Sequence, residues 1–290
     1  MNKIAPSELI LNPDGSIYHL NLKPEHIADH VIFVGDQNRV PKVTKHFDTI
    51  EFDLQKREFR TITGTYKGTR ITVISTGIGP DNIDIVFNEI DALVNIDLKS
   101  RTIKPEKRIL NIVRIGTSGS LQDDIPVDSF VMGKYGLGLD GLLHSYKAGH
   151  IFETEIEDAF IRHTHWNPNK ARPYIIKGSS TLEKKLMSDQ VFAGFTVTAP
   201  GFYGPQGRVL RIPLQDVDLN KKMDSFSFNG VRATNLEMET SAIYGLARLL
   251  GHKALSMNAI IANRANGTFS KDPYGTVEKL IKYTLDKLAT

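Results

Sequence analysis

Val31-Ile32-Phe33-Val34-Gly35-Asp36-Gln37-Asn38-Arg39 sets four apolar, strand-forming residues before a glycine, three polar residues and an arginine. Such a run predicts a buried strand that stops at Gly35, a polar turn, and a helix over Val40–His46. The pattern recurs along the chain. Arg70–Ser75 reads as another strand, and Asn82–Asn95 then places Ile83, Val86, Phe87, Ile90, Leu93 and Val94 at helical spacing. Thr49–Phe52 and Glu58–Tyr66 read as antiparallel strands. Ile109–Ile115, Ser129–Tyr135, Phe195–Thr198 and Ala254–Ala262 are further strands, and Met238–Leu250 is a helix closed by Gly251. The last helix has Asp272 as its N-cap and Pro273 in its first position. Val277, Leu280, Ile281, Leu285 and Leu288 line one face of it. This alternation predicts an α/β protein, a mixed central β-sheet flanked by α-helices, in one domain over residues 1–290.

Bulk properties exclude several function classes. A hydrophobic content of 40% with 24% charged residues is that of a folded globular chain, not a disordered or membrane-embedded one. A net charge of +3 is too small to argue for nucleic acid or a membrane surface, though it tolerates an anionic substrate. The absence of cysteine removes thiol nucleophiles, cysteine-ligated zinc and disulfides together. The opening Met1-Asn2-Lys3-Ile4-Ala5-Pro6-Ser7-Glu8 lacks the apolar centre of a signal peptide, and no apolar run reaches membrane-spanning length. A protein of the cell interior, cytoplasmic, is expected.

Polar chemistry collects where the strands end, and α/β sheets bind ligands beyond their strands' carboxyl ends. The first strand leads into Gly35-Asp36-Gln37-Asn38-Arg39. The strand at 70–75 leads into Thr76-Gly77-Ile78-Gly79-Pro80-Asp81-Asn82. The strand at 109–115 carries Arg114 and leads into a turn, Gly116-Thr117-Ser118-Gly119-Ser120. Glycine amides, threonine hydroxyls and arginines are what a tetrahedral oxyanion requires. Each glycine alone is ordinary punctuation; three such turns, two with an arginine, point to one shared phosphate site. A dinucleotide fingerprint is not met, because Asn82 stands where its third glycine belongs and Pro80 interrupts the turn. No Gly-Lys-Ser or Gly-Lys-Thr follows a glycine-rich loop, so a P-loop is absent too.

A second constellation is Gly201-Phe202-Tyr203-Gly204-Pro205-Gln206-Gly207-Arg208, whose glycines and proline bar regular structure. An aromatic ring stacks on a planar heterocycle, while an amide and a guanidinium match the donors and acceptors along its edge. Glu237-Met238-Glu239 offers carboxylates to sugar hydroxyls or, more simply, acids that favour a helix start. His163-Thr164-His165 lacks the carboxylate or cysteine company of a metal site and reads as surface; no metal is expected.

In order along the chain, the motifs are Gly35-Asp36-x-x-Arg39, Arg57-Glu58-Phe59, Ser75-Thr76-Gly77-Ile78-Gly79, Arg114-Ile115-Gly116-Thr117 and Leu139-Asp140-Gly141. Phe202-Tyr203-x-x-Gln206-x-Arg208, Glu237-Met238-Glu239 and Asn263-Arg264 follow. Together they resemble the nucleoside phosphorylase family with the trimeric or hexameric α/β fold, and its uridine phosphorylases most of all. The matches run from about His19 to Arg264. Each motif is short, but the ordered set is specific, and the Phe-x-x-x-Gln-x-Arg element separates pyrimidine from purine enzymes. The resemblance implies a distorted, barrel-like sheet. It implies reversible phosphorolysis of uridine to uracil and ribose 1-phosphate in pyrimidine salvage, with inorganic phosphate as co-substrate and no other cofactor.

Residue roles also come from the resemblance. Gly35, Arg39, Arg114 and Thr117 would hold phosphate, with Arg57 reaching in from a neighbouring subunit. Phe202 would stack on the base while Gln206 and Arg208 bond its edge. Met238 and Glu239 would grip the ribose, and His19 of a partner subunit would meet its 5′-hydroxyl. Arg264 would orient the base-binding groups. Arg208, Arg114 and Glu239 would carry catalysis. The partners implied are a small-molecule nucleoside and phosphate, with no nucleic acid and no membrane, and a homo-oligomer, a dimer at minimum and a hexamer in full. A monovalent cation near Glu58 and Ile78 would meet Asn82 where such enzymes often carry serine.

The chemistry is coherent from the residues. N-glycosidic cleavage builds positive charge on the ribose, which phosphate stabilises, and negative charge on the departing base, which Arg208 stabilises. Three stretches exceed the family pattern: the residues before His19, Ser100–Arg108 (read as a basic, solvated connection), and part of Lys147–Arg172. Two alternatives stand beside uridine. A purine phosphorylase or nucleosidase would place an aspartate after the late strand, where this chain reads Ala262-Asn263-Arg264. A non-catalytic nucleoside-binding protein would not need the full set of Arg39, Arg114, Gln206, Arg208 and Glu239.

Overall fold

The computed structural model describes residues 3–290. Met1 and Asn2, part of the stretch inspected for a leader, lie outside the described residues. Strand β1 (His30–Val34) has Val31, Ile32, Phe33 and Val34 fully buried, as a continuous apolar run requires of a strand covered on both faces. After it come α1 (Arg39–Thr44), β2 (Thr49–Lys56), β3 (Phe59–Tyr66), β4 (Thr69–Ser75) and α2 (Pro80–Asn95). A short hairpin, β5 (Ile96–Asp97) and β6 (Thr102–Ile103), precedes β7 (Asn111–Ser120) and β8 (Phe130–Gly138). The middle of the chain forms α3 (Thr154–Thr164), β9 (Tyr174–Lys177), α4 (Ser180–Leu186) and β10 (Val191–Thr198). The last part forms α5 (Leu219–Asp224), β11 (Ser227–Phe228), β12 (Val231–Glu237), α6 (Thr240–Leu250), β13 (Lys253–Asn263), β14 (Thr268–Phe269) and α7 (Pro273–Leu288).

Twelve strands join one mixed sheet in the order β11-β12-β10-β8-β13-β7-β1-β4-β3-β2, with β9 beside β8 and β14 beside β13. A further antiparallel pairing sets Asn235 and Leu236 of β12 against Ser120 and Gly119 of β7, so five strands close on themselves. The expected barrel-like sheet flanked by helices is the observed architecture. Closure has a local feature: β13 slips its register against β7 between Ile260 and Ala262, and beyond the slip Gly119 and Ser120 pair with β13 on one side and with β12 on the other.

The helices pack as their spacing dictates. In α2, Ile83, Val86, Phe87, Ile90 and Leu93 are buried, and Phe87 meets Phe33 of β1 edge-to-face at 5.5 Å. In α7, Asp272 caps the first turn through the N–H of Gly275, and Val277, Leu280, Ile281, Leu285 and Leu288 are buried. Each such side chain contributes roughly 1.5–3 kcal/mol of burial energy.

Several expectations are corrected. The Gly116–Ser120 turn is strand: β7 runs on to Ser120 because β13 and then β12 supply its hydrogen-bonding partners. The helix expected from Met238 begins at Thr240, since Glu237 still belongs to β12. The octapeptide at 201–208 holds one 3-10 turn, Gly204–Gln206. Ser100–Arg108 is more than a solvated connection. It contributes β6, and Arg101 binds the amino-terminal segment, accepting from the N–H of Ile4 at 2.9 Å and donating from Nη1 to the carbonyl of Leu9. The stretch Lys147–Arg172 contains α3, whose Ile156 and Phe160 are buried. Among the described residues, no helix is long and apolar enough to cross a membrane.

Candidate active site

Parallel pairing of β1 with β4 sets Val34 beside Ser75, so the two glycine turns that follow become neighbours. A Cβ on Gly35 would lie 3.6 Å from the carbonyl oxygen of Gly77. Arg39 opens α1, and its Nη1 donates to the carbonyl of Ile115 on β7 at 3.3 Å. Burial lowers the pKa of Arg39, and the like charge of Arg114 lowers it further. Two guanidinium groups crowded out of water in this way are stabilised by an anion. Thr117, three residues beyond Arg114, is half-buried on the same strand, in register with Ala259.

Arg114 is the centre of a buried charge cluster. Its Nη2 donates to Oε2 of Glu239 at 2.5 Å and lies 3.4 Å from Oε2 of Glu237, while Nη1 donates to Oδ1 of Asn258 at 2.8 Å. Burial opposes the charge on Arg114, but Glu239 and Glu237 outweigh it and hold its pKa above the ordinary arginine value. The guanidinium folds over Gly116, where an added Cβ would stand 1.6 Å from Nη1. Glycine is there to leave room for a side chain, not to make a turn.

The two glutamates are placed differently. Glu237 ends β12 and caps α6: its carboxylate accepts from the N–H of Glu239 at 3.0 Å and of Thr240 at 3.1 Å, and from the hydroxyl of Thr198 at 2.8 Å. Burial pushes its pKa up against the opposing charge of Arg114. Glu239 turns its carboxylate away from the helix, accepting from Arg114 and from the N–H of Gly79 at 2.9 Å. Gly79 adopts φ +98°, a conformation that favours glycine, and so aims this N–H at the carboxylate. Met238 between them is half-buried. The ends of β1, β4 and β12 and the middle of β7 thus converge on Arg39, Arg114 and Glu239.

The residues read as base-binding are brought together as well. Phe202 is 51% exposed, whereas Gln206 is only 3% exposed. The guanidinium carbon of Arg208 lies 3.7 Å above the Phe202 ring, and its Nη1 donates to Oε1 of Gln206 at 2.7 Å and to the carbonyl of Phe202 at 2.6 Å. Arg264 lies close enough to Arg208 to be affected by its charge: burial, then Arg208, lower its pKa to about 10. Its buried Nη1 has no partner among the described residues, and its side chain crosses Gly119 of β7. One strand therefore carries the arginine cluster near its middle and meets the base loop's neighbour at its end. Asn263 is fully engaged, donating to the carbonyls of Gln122 and Ile125 and accepting from the N–H groups of Ala265 and Asn266.

His19 and Arg57 lie outside this cluster in the single chain. His19 is anchored on α2, where Nδ1 and the backbone N–H bond Glu89 at 2.7 and 2.9 Å. Arg57 occupies the exposed tip of the β2–β3 hairpin at φ +56°, next to exposed Glu58. Asn82 donates to the carbonyl of Ile78 at 3.2 Å. His163 bonds the hydroxyl of Ser225, and among the described residues no group of three histidines or acids is placed to hold a metal. Sequence reasoning missed Asn258, although a signal existed: Ser256 and Asn258 are polar residues two apart in an otherwise apolar strand.

The family model described as the phosphorylase superfamily matches residues 29–286. A crystal structure of a Trypanosoma brucei nucleoside phosphorylase, described as showing uridine phosphorylase activity, superposes with a TM-score of 0.87 at 31% identity. It covers 97% of this chain and 99% of that one. A uridine phosphorylase from Thermococcus kodakarensis is 28% identical over 280 residues, 93% of this chain and 86% of the relative. A purine nucleoside phosphorylase from Shewanella loihica is 25% identical over 276 residues, 94% and 98% of the two chains.

Proposed function

We propose that this chain, which belongs to the phosphorylase superfamily, is a uridine phosphorylase that cleaves uridine reversibly with inorganic phosphate to uracil and ribose 1-phosphate. The observation that carries the pyrimidine assignment is the Phe202–Gln206–Arg208 cluster, in which the arginine lies over the ring and bonds the glutamine at 2.7 Å. Its amide and guanidinium suit the alternating carbonyl and N–H edge of uracil. A purine leaving group calls for an acid, and Asn263 with all its hydrogen bonds committed supplies none.

Phosphate sits between Arg39 and Arg114, with the amide of Gly35, the hydroxyl of Thr117 and a partner subunit's arginine from the Arg57 position completing its shell. Met238 and Glu239 grip the ribose, the carboxylate accepting from its hydroxyls. As the glycosidic bond lengthens, the phosphate dianion stabilises charge on the sugar and Arg208 stabilises the uracil anion, so neither a covalent enzyme nucleophile nor a discrete general acid is needed. His19 from a neighbouring subunit meets the 5′-hydroxyl, which makes a homo-oligomer, a hexamer in full, the working form. An absorbance assay with uridine, thymidine and inosine, each with and without phosphate, tests the assignment. Phosphate-dependent loss of uridine is expected; preferential cleavage of inosine would point to a purine enzyme, and no cleavage of any nucleoside to a binding protein.

A further inference from the structure

Arg114 can hold an anion only if its guanidinium is aimed, and three buried features surround it. On one side is Glu239, on the strand beneath is Gly116, and on the neighbouring strand is Asn258. Parallel register places Ser256 of β13 beside Arg114 and Asn258 beside Gly116. With a side-chain period of two, all four residues share one face of the sheet. The space left at Gly116 is used from both sides: a Cβ there would be 1.6 Å from Nη1 of Arg114 and 2.7 Å from Oδ1 of Asn258.

The amide of Asn258 has one workable orientation. Its Oδ1 accepts from Nη1 of Arg114 at 2.8 Å, and its Nδ2 lies 3.2 Å from the hydroxyl of Ser256. Turning the amide over would oppose two donors at Arg114. Ser256 in turn accepts from the hydroxyl of Thr240, the first residue of α6, at 2.9 Å. Asn258 and Ser256 are fully buried, so water cannot replace a lost partner cheaply.

We infer that Asn258 is a positioning residue for the anion-binding arginine, a neutral acceptor that fixes Nη1 of Arg114 without adding to the negative charge that Glu239 and Glu237 already set against it. A carboxylate in its place would aim the guanidinium equally well but set a third negative charge against it; an apolar residue would leave it unaimed. Glu239 and Glu237 already face Nη2, so a third anion, at Nη1, would leave little attraction for phosphate. The inference rests on the reading that Arg114 binds phosphate.

Isothermal titration of the full-length protein with inorganic phosphate, beside Asn258→Leu and Asn258→Asp, tests it. Leucine keeps the volume and removes the acceptor. Phosphate affinity is expected to fall about tenfold in Asn258→Leu, the size of one hydrogen bond to a charged group, and further in Asn258→Asp. The KM for phosphate should rise in parallel in both variants, with the KM for uridine within about twofold of the parent. Circular dichroism and a melting curve establish that each variant is folded. If the folded variants bind phosphate like the parent, or if aspartate binds it better than leucine, Asn258 does not position Arg114 for an anion. If the parent itself binds no phosphate, the functional reading fails before the role of Asn258 is reached.

Discussion

Nη2 of Arg114 and Oε2 of Glu239 meet at 2.5 Å, joining the middle of β7 to the start of α6 in a buried pair. Removing one partner of such a pair strands the other charge, which typically costs about 3–5 kcal/mol. Glu237, 3.4 Å from the same nitrogen, offsets part of that loss. Glu239→Ala is therefore expected to lose about 3 kcal/mol in equilibrium urea unfolding, at the lower end of that range. Unchanged stability would mean that the pair is not formed.

Gly116→Ala is the smallest change aimed at the same arginine. Its methyl group would stand 1.6 Å from Nη1, so the guanidinium must move while the strand can remain. Displacements of about 1 Å at a reacting centre cost on the order of 10²-fold. Steady-state kinetics should show that loss in kcat/KM with circular dichroism unchanged; near-parental turnover would place Arg114 outside the chemistry.

Arg208→Ala tests the leaving-group assignment. A preorganised donor facing developing negative charge is worth about 10²–10³ in rate. That loss is expected in kcat for uridine. A variant that retains most of its turnover would reduce Arg208 to a packing contact for Phe202.

The fold was most legible where packing alone decides it. Val31–Val34, the spacing of Ile83 to Leu93, and the Asp272-Pro273 start of α7 all became the elements expected. Strand β12 was not expected, because Val231-Arg232-Ala233-Thr234-Asn235-Leu236-Glu237 carries polar residues at positions that the barrel buries. There Thr234 donates to the carbonyl of Phe195, and Asn235 bonds Ser118 and Thr196. Such polar networks are invisible to hydrophobic periodicity. Gly116 misled for a related reason: a glycine that makes room for an arginine reads the same as one that makes a turn. Of the site, Arg39, Arg114 and Glu239 converge as a cluster, as do Phe202, Gln206 and Arg208. His19 and Arg57 stand apart in one chain, so a place for them in this site would require a neighbouring chain.

Stability should depend on pH through Asp286. Hydrogen bonds from Lys282, Lys67 and Tyr66 hold its carboxyl well below the ordinary aspartate value. A depressed folded-state value means stability present above the unfolded pKa and lost as pH falls through the folded one. The group is exposed, so the effect is at most about 1 kcal/mol. Asp286→Asn should lower the melting temperature slightly at pH 7, with the difference vanishing in strong acid. A gap that persists there would assign the effect to packing.

Subunit sharing has its own test. His19→Ala and Arg208→Ala, each expected to be impaired alone, should regain activity when mixed and reassembled, because some sites then receive both intact residues. Mixed oligomers with no recovered activity would place His19 and Arg208 in the same chain's site, or His19 in none.

The most direct measurement of the central claim is the stoichiometry of uridine cleavage followed in phosphate and in phosphate-free buffer. One uracil and one ribose 1-phosphate per uridine consumed, with no reaction when phosphate is omitted, is the predicted result. Uracil released with free ribose, at a rate indifferent to phosphate, would contradict the account.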